Sequence, residues 1–145
     1  MKKVIFLLTI LVATSISTFA QADKIVGKWK TIDDKDGSEK SIVLIFKATN
    51  GKYFGTIDKL FKNPDVICSE CDGANKNKPV LGLRIINNLV ENGEKLSGGT
   101  ILDPKNGKVY KCNLSIDTKT GNLIVRGSLD SRGLFGRSQT WIRVK

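Results

Sequence analysis

Beyond residue 23 the chain alternates apolar and polar residues in short runs, each closed by a turn signal. A period of two marks half-buried strands, and regular spacing with turn signals marks a sandwich or barrel. The pattern predicts strands over Lys24–Thr31, Lys40–Ala48, Lys52–Phe61, Pro79–Leu89, Lys95–Leu102, Lys108–Asp117, Asn122–Leu129 and Arg137–Val144. The sixth is the clearest, with Tyr110, Cys112, Leu114 and Ile116 on one face and Lys111, Asn113, Ser115 and Asp117 on the other. Asn50-Gly51 and Asn92-Gly93 read as hairpin turns, because both residue types accept positive φ. Asp33–Gly37, Asp103–Gly107 and Thr120-Gly121-Asn122 read as further turns. A longer loop, Lys62–Lys78, carries two cysteines. No stretch has the 3.6-residue period of an amphipathic helix. The expected fold is therefore all-β, an antiparallel up-and-down barrel of eight strands. Closure removes exposed strand edges, and eight strands leave an interior that side chains fill or that holds one small ligand.

The first residues follow a different rule. Met1-Lys2-Lys3 is basic, Val4–Val12 is an apolar run, and the small and polar residues Ala13, Thr14, Ser15, Ser17, Thr18 and Ala20 follow. This is the tripartite pattern of a secretory signal. The apolar run is too short and too interrupted by hydroxyl residues for a spanning helix. The expected division is a cleaved signal peptide over residues 1–20 and a single barrel domain over 21–145. Cleavage after Ala20 fits the small-x-small rule best, and cleavage after Ala22 also fits it.

Charge changes the picture little. The chain has 24 basic and 14 acidic residues, a net charge of +10. The signal takes Lys2 and Lys3 and no acid, which leaves +8. The lysines are scattered singly at strand ends and turns, with no basic stripe interleaved with aromatics. The reading is a solvated cationic surface and no nucleic-acid partner. The chain contains no histidine. That removes the usual general base and the commonest metal ligand. We expect no metal and no cofactor, and we expect a monomer without a membrane span.

Three constellations remain. Cys68-Ser69-Glu70-Cys71, with Cys112 far along the chain, reads first as a structural disulfide, which suits an exported protein. Cys68–Cys71 is the preferred pair, with Cys112 bonded to either loop cysteine as the alternative. A redox pair is less suited, since Glu70 and Asp72 raise the thiol pKa and no helix N-terminus is in view. A zinc site lacks a fourth ligand. Gly27-Lys28-Trp29 near the start and Trp141-Ile142-Arg143 near the end form the second constellation. Gly-x-Trp resembles the first-strand motif of lipocalins and related barrels. In that motif the tryptophan closes the barrel base and an arginine packs over it, a part Arg143 would take here. The third is a set of arginines, Arg84, Arg126, Arg132 and Arg137, which point either to solvent or inward toward an anion. Tyr53, Arg84, Tyr110, Arg126 and Trp141 are the candidates to line a pocket.

Several longer stretches carry a wider resemblance. They are Ile25–Lys30, Cys68-x-x-Cys71, Pro79–Leu83, Gly98-Gly99-x-Ile101-Leu102-Asp103-Pro104-x-x-Gly107-Lys108-x-Tyr110-x-Cys112, Val125-Arg126-Gly127 and Leu134–Trp141. Together they resemble the exported bacterial proteins grouped as domain of unknown function 2147. The resemblance implies a lipocalin-like barrel in the bacterial envelope or outside the cell. It implies no activity and no catalytic residues. The leading expectation is a non-catalytic barrel that binds a small apolar or amphipathic ligand. The alternatives are an envelope interaction or structural module and a thiol-redox protein using Cys68 and Cys71.

Overall fold

Residues 22–145 of a computed structural model are described; the expected signal peptide lies outside them. The alternating segments form β1 (Gly27–Ile32), β2 (Glu39–Lys47), β3 (Tyr53–Leu60), β4 (Arg84–Asn92), β5 (Lys95–Leu102), β6 (Val109–Ile116), β7 (Leu123–Ser128) and β8 (Gly136–Arg143). Each strand pairs antiparallel with the next, and β8 returns to β1 through Trp29↔Arg143 and Lys30↔Ile142. The result is a closed up-and-down barrel with no free sheet edge.

The fourth strand departs from the sequence expectation. Pro79–Leu83 is the end of the long loop, and β4 begins at Arg84 and runs on to Asn92. Val80 and Leu83 are apolar because they pack against the core from the loop, not because they belong to a strand. Asn87 and Asn88 look like a strand end, yet Asn88 takes φ 58° and the strand continues past it.

Inward positions fill the barrel with Trp29, Val43, Ile45, Tyr53, Ile86, Leu89, Leu96, Cys112, Leu114, Leu123 and Trp141, all buried. Each fully buried large side chain contributes about 1.5–3 kcal/mol of transfer free energy. Outward positions carry Lys28, Lys30, Lys59 and Lys111. An apolar inside and a charged outside is the reverse of an outer-membrane barrel. Among the described residues no helix is long and apolar enough to cross a membrane.

The two ends differ. One is closed by residues 22–26, which form a short 3-10 turn over Asp23–Ile25, and by the turns 48–52, 93–94 and 117–122. The other end bears the connections 33–38, 61–83, 103–108 and 129–135.

Candidate functional site

The closed end is held by a chain of contacts through Trp29. Its ring is fully buried and its indole N–H donates to the Ile25 carbonyl at 2.8 Å. The Arg143 guanidinium lies 4.1 Å from the Trp29 ring centroid and donates to the carbonyls of Lys24 and Val26. Gly27 explains its own place in the motif. Its φ is +131°, and a Cβ there would stand 2.9 Å from Arg143 Nη1. A side chain would displace the guanidinium from the ring. Tyr53, also expected to line a pocket, is wholly buried at this end, and its hydroxyl donates to Glu91, which also pairs with Lys47 at 3.0 Å.

Those contacts carry a pH dependence. The Tyr53 hydroxyl, then Lys47, holds the Glu91 carboxyl below its ordinary value. The Phe135 and Leu134 backbone N–H groups do the same for Asp130 at the opposite end. A carboxyl whose folded pKa is depressed contributes stability that is present above its unfolded pKa and lost as pH falls through the folded value. Thermal stability is therefore expected to hold down to about pH 4, the ordinary carboxylate range, and to fall below it. Asp130→Asn is expected to flatten that acid limb in a Tm-against-pH series.

Above the closed end the interior is solid. Ile45, Leu89, Leu96, Leu114 and Leu123 have no solvent exposure, so no water-sized space adjoins them. Among the described residues no buried side-chain N or O lacks a hydrogen-bond partner. Burial of the inward face decreases toward the opposite end. There the inward face continues through Ile101, Tyr110 and Gln139, all half-buried, to exposed Arg137. The β7–β8 ladder extends one pair further, with the Leu129 N–H donating to the Phe135 carbonyl at 2.8 Å. Leu129 and Phe135 lie just past the rim, and both are exposed.

The mouth is two-sided. Ile101 and Tyr110, which lie beside Gly127, make its apolar arc. The other arc is polar. The Trp141 indole N–H donates to Gln139 Oε1 at 3.3 Å, and Gln139 donates to Asp34 at 2.8 Å. Arg137 reaches the same carboxylate at 3.6 Å. Thr31 and Ser41 hydrogen-bond each other just below, at 2.8 Å. Of the expected pocket residues, only Tyr110 is presented at the mouth, with Trp141 sealed one step beneath Gln139. Counting back by twos from Trp141 finds Gln139 and Arg137, a signal that was available in the sequence.

Two expected pocket residues stand elsewhere. Arg84 lies on the outer wall, its guanidinium 4.7 Å from the Phe54 ring centroid. Arg126 is also outside, where it donates to the carbonyls of Gly133 and Leu134 and to Ser138. Register parity decides both: Arg126 pairs with Asn113 and Ser138, which face outward, while its neighbours Val125 and Gly127 face inward. Two open clefts are present, one at the closed end by Lys24, Ile116, Asp117 and Arg143, the other by Lys78, Leu81 and Arg84.

Cys68 and Cys71 stand at disulfide-bonding distance, with Cα atoms 5.3 Å apart. Both are fully buried, so an attacking thiol has no approach to them. Cys112 is a buried free thiol whose pKa burial pushes up to about 12, which leaves it inert. No group of three potential metal-ligating side chains occurs among the described residues.

A comparison with curated proteins finds no match. Among solved structures the barrel is similar to HP1028 of the human pathogen Helicobacter pylori, a protein described as belonging to the lipocalin family. The two share 21% sequence identity with a TM-score of 0.73, over 83% of this chain and 82% of that one. At that identity the likeness speaks for the fold alone. Residues 27–143 match a bacterial family described as uncharacterized protein conserved in bacteria, DUF2147. That span takes in every strand of the barrel, and the chain belongs to this family.

Proposed function

We propose that the protein is an exported, non-catalytic binding barrel that takes a small amphipathic ligand at its open mouth. The observation that carries this reading is the split of the inner wall. Its lower levels are sealed, whereas the rim keeps an apolar arc facing a polar arc. A ligand with an apolar body and a polar end matches that division. A deep apolar ligand does not, because no space is left beside the lower side chains.

The export reading places the protein in the periplasm or outside the cell. Ala22 bears on where the signal ends. It is buried, and its carbonyl accepts the Ile25 N–H at 3.1 Å. Cleavage after Ala20 keeps this residue in the mature fold, and cleavage after Ala22 discards it.

Gly127 provides the test. A Cβ there would meet Tyr110 Cβ at 3.6 Å and Ile101 Cγ2 at 3.7 Å, ordinary contacts. Gly127→Ala is expected to fold and bind normally. Gly127→Leu fills the mouth. In a fluorescence titration with dodecanoate, read through Trp141, Gly127→Leu is expected to weaken binding about tenfold or more, which corresponds to about 1.4 kcal/mol. Equal affinity in wild type and Gly127→Leu would remove the mouth from consideration.

A further inference from the structure

The most exposed large apolar side chains among the described residues are Val109 (60%), Leu134 (64%), Phe135 (73%) and Leu129 (78%). They gather at one corner of the open end. Val109 starts β6, and the other three bracket the β7–β8 connection. The register sets these elements side by side, with Lys111 opposite Ser128 and Ser128 opposite Gly136.

Their exposure is built in. The Asp130 carboxylate accepts backbone N–H groups of Arg132, Leu134 and Phe135 at 2.9–3.2 Å. The Ser128 hydroxyl donates to the Asp130 carbonyl at 2.8 Å. Arg126 holds the Gly133 and Leu134 carbonyls from the wall below. Gly133 sits against Asn113 and Arg126, where a Cβ would come within 3.2 Å of Asn113 Nδ2. Every polar device in the connection fixes the backbone, and the fixed backbone holds Leu134 and Phe135 out. A patch of this kind on a small protein marks an interaction surface.

Charge identifies the occupant. Lys105, Lys108, Lys111 and Arg132 surround the patch, all exposed, and none forms an ion pair among the described residues. The acids of the two connections are engaged locally: Asp130 as above, and Asp103 by the Lys105 N–H at 3.0 Å. A second copy packed here about a two-fold axis would bring these four cations against their own counterparts. The corner protrudes, so it suits a flat surface better than a groove. Apolar tips within a cationic collar are the pattern of attachment to an anionic bilayer.

We propose that this corner docks the protein on an anionic lipid bilayer, with Leu134 and Phe135 entering the headgroup region and the four cations contacting lipid phosphates. The docking needs the protein to be exported to the envelope, but it does not need a ligand in the mouth.

The test is flotation of the mature protein with phosphatidylcholine vesicles, with and without phosphatidylglycerol. The expected result is binding only where the anionic lipid is present, lost at high salt. Leu134→Ser/Phe135→Ser and Lys111→Glu/Arg132→Glu are each expected to reduce it about tenfold with unchanged near-UV circular dichroism. Lys52→Glu, at the closed end, and Gly127→Leu are expected to bind as wild type. Absence of binding to anionic vesicles would overturn the proposal. So would loss of binding in Gly127→Leu, which would mean lipid capture by the mouth. A dimer in vesicle-free solution that Leu134→Ser/Phe135→Ser dissolves would also overturn it, since the occupant would then be a second copy.

Discussion

Trp29→Ala is expected to lower unfolding stability by about 4–5 kcal/mol, near the top of the range for removing a buried tryptophan. Three losses coincide at this position. The ring leaves a cavity under the 3-10 turn, in a region with no solvent exposure. The Ile25 carbonyl loses its indole donor. Arg143 loses the ring face it covers at 4.1 Å, a contact of about 0.5–2 kcal/mol. A small domain has about 5–15 kcal/mol in total, so the variant sits close to unfolding. Trp29→Phe keeps a ring under the guanidinium and is expected to lose only about 1–2 kcal/mol, most of it from the carbonyl left unpaired. Urea unfolding followed by circular dichroism measures both. A loss below about 2 kcal/mol for Trp29→Ala would mean that the barrel base does not depend on this residue.

Gly107→Ala is expected to cost about 3 kcal/mol, and the fold contains its control. Three turns share one build: the N–H groups of Gly37, Gly107 and Gly121 donate to the carbonyls of Asp33, Asp103 and Asp117. The three glycines have φ of 71°, 71° and 74°. An alanine in this region costs about 1–2 kcal/mol for backbone strain alone. A Cβ at Gly37 or Gly121 would meet nothing within 4 Å, but at Gly107 it would stand 1.8 Å from the Glu70 carbonyl oxygen. The excess of Gly107→Ala over Gly121→Ala therefore measures the docking of the Cys68–Cys71 segment on the β5–β6 turn. Cys68 Sγ also contacts the Pro104 carbonyl there, at 3.4 Å. Hydrogen exchange in residues 61–83 is expected to accelerate in Gly107→Ala and to stay unchanged in Gly121→Ala. Equal stability losses in the two variants would contradict this account of the loop.

The strands were legible because a period of two and turn residues are local signals. Tyr110, Cys112, Leu114 and Ile116 share a face in the sequence and in the barrel, and Asn92-Gly93 turns the chain where expected. Strand four was misplaced because burial is not local. Val80 and Leu83 are hidden because the loop that carries them lies on the core, and an apolar run cannot announce which kind of neighbour covers it.

The candidate site was legible only in part. Tyr110 shares the inward face of Cys112 and Leu114, as the uninterrupted alternation of its strand predicts. Arg84 and Arg126 were not placed, since whether an arginine faces in or out depends on register, and one residue of slip reverses the answer. Arg84 follows a loop whose end was misjudged. The corner formed by Leu129, Leu134 and Phe135 was invisible as a surface. Its shape comes from Asp130 capping the β7–β8 connection, and no period along the chain announces such a cap.

The central claim is that the barrel holds one small amphipathic molecule at its rim. Native mass spectrometry of protein recovered from a bacterial envelope tests it most directly. The account predicts a mature chain beginning at Gln21 that carries a single small-molecule adduct, and the loss of that adduct in Gly127→Leu. A wild-type protein recovered bare, or an adduct retained equally by Gly127→Leu, would contradict it.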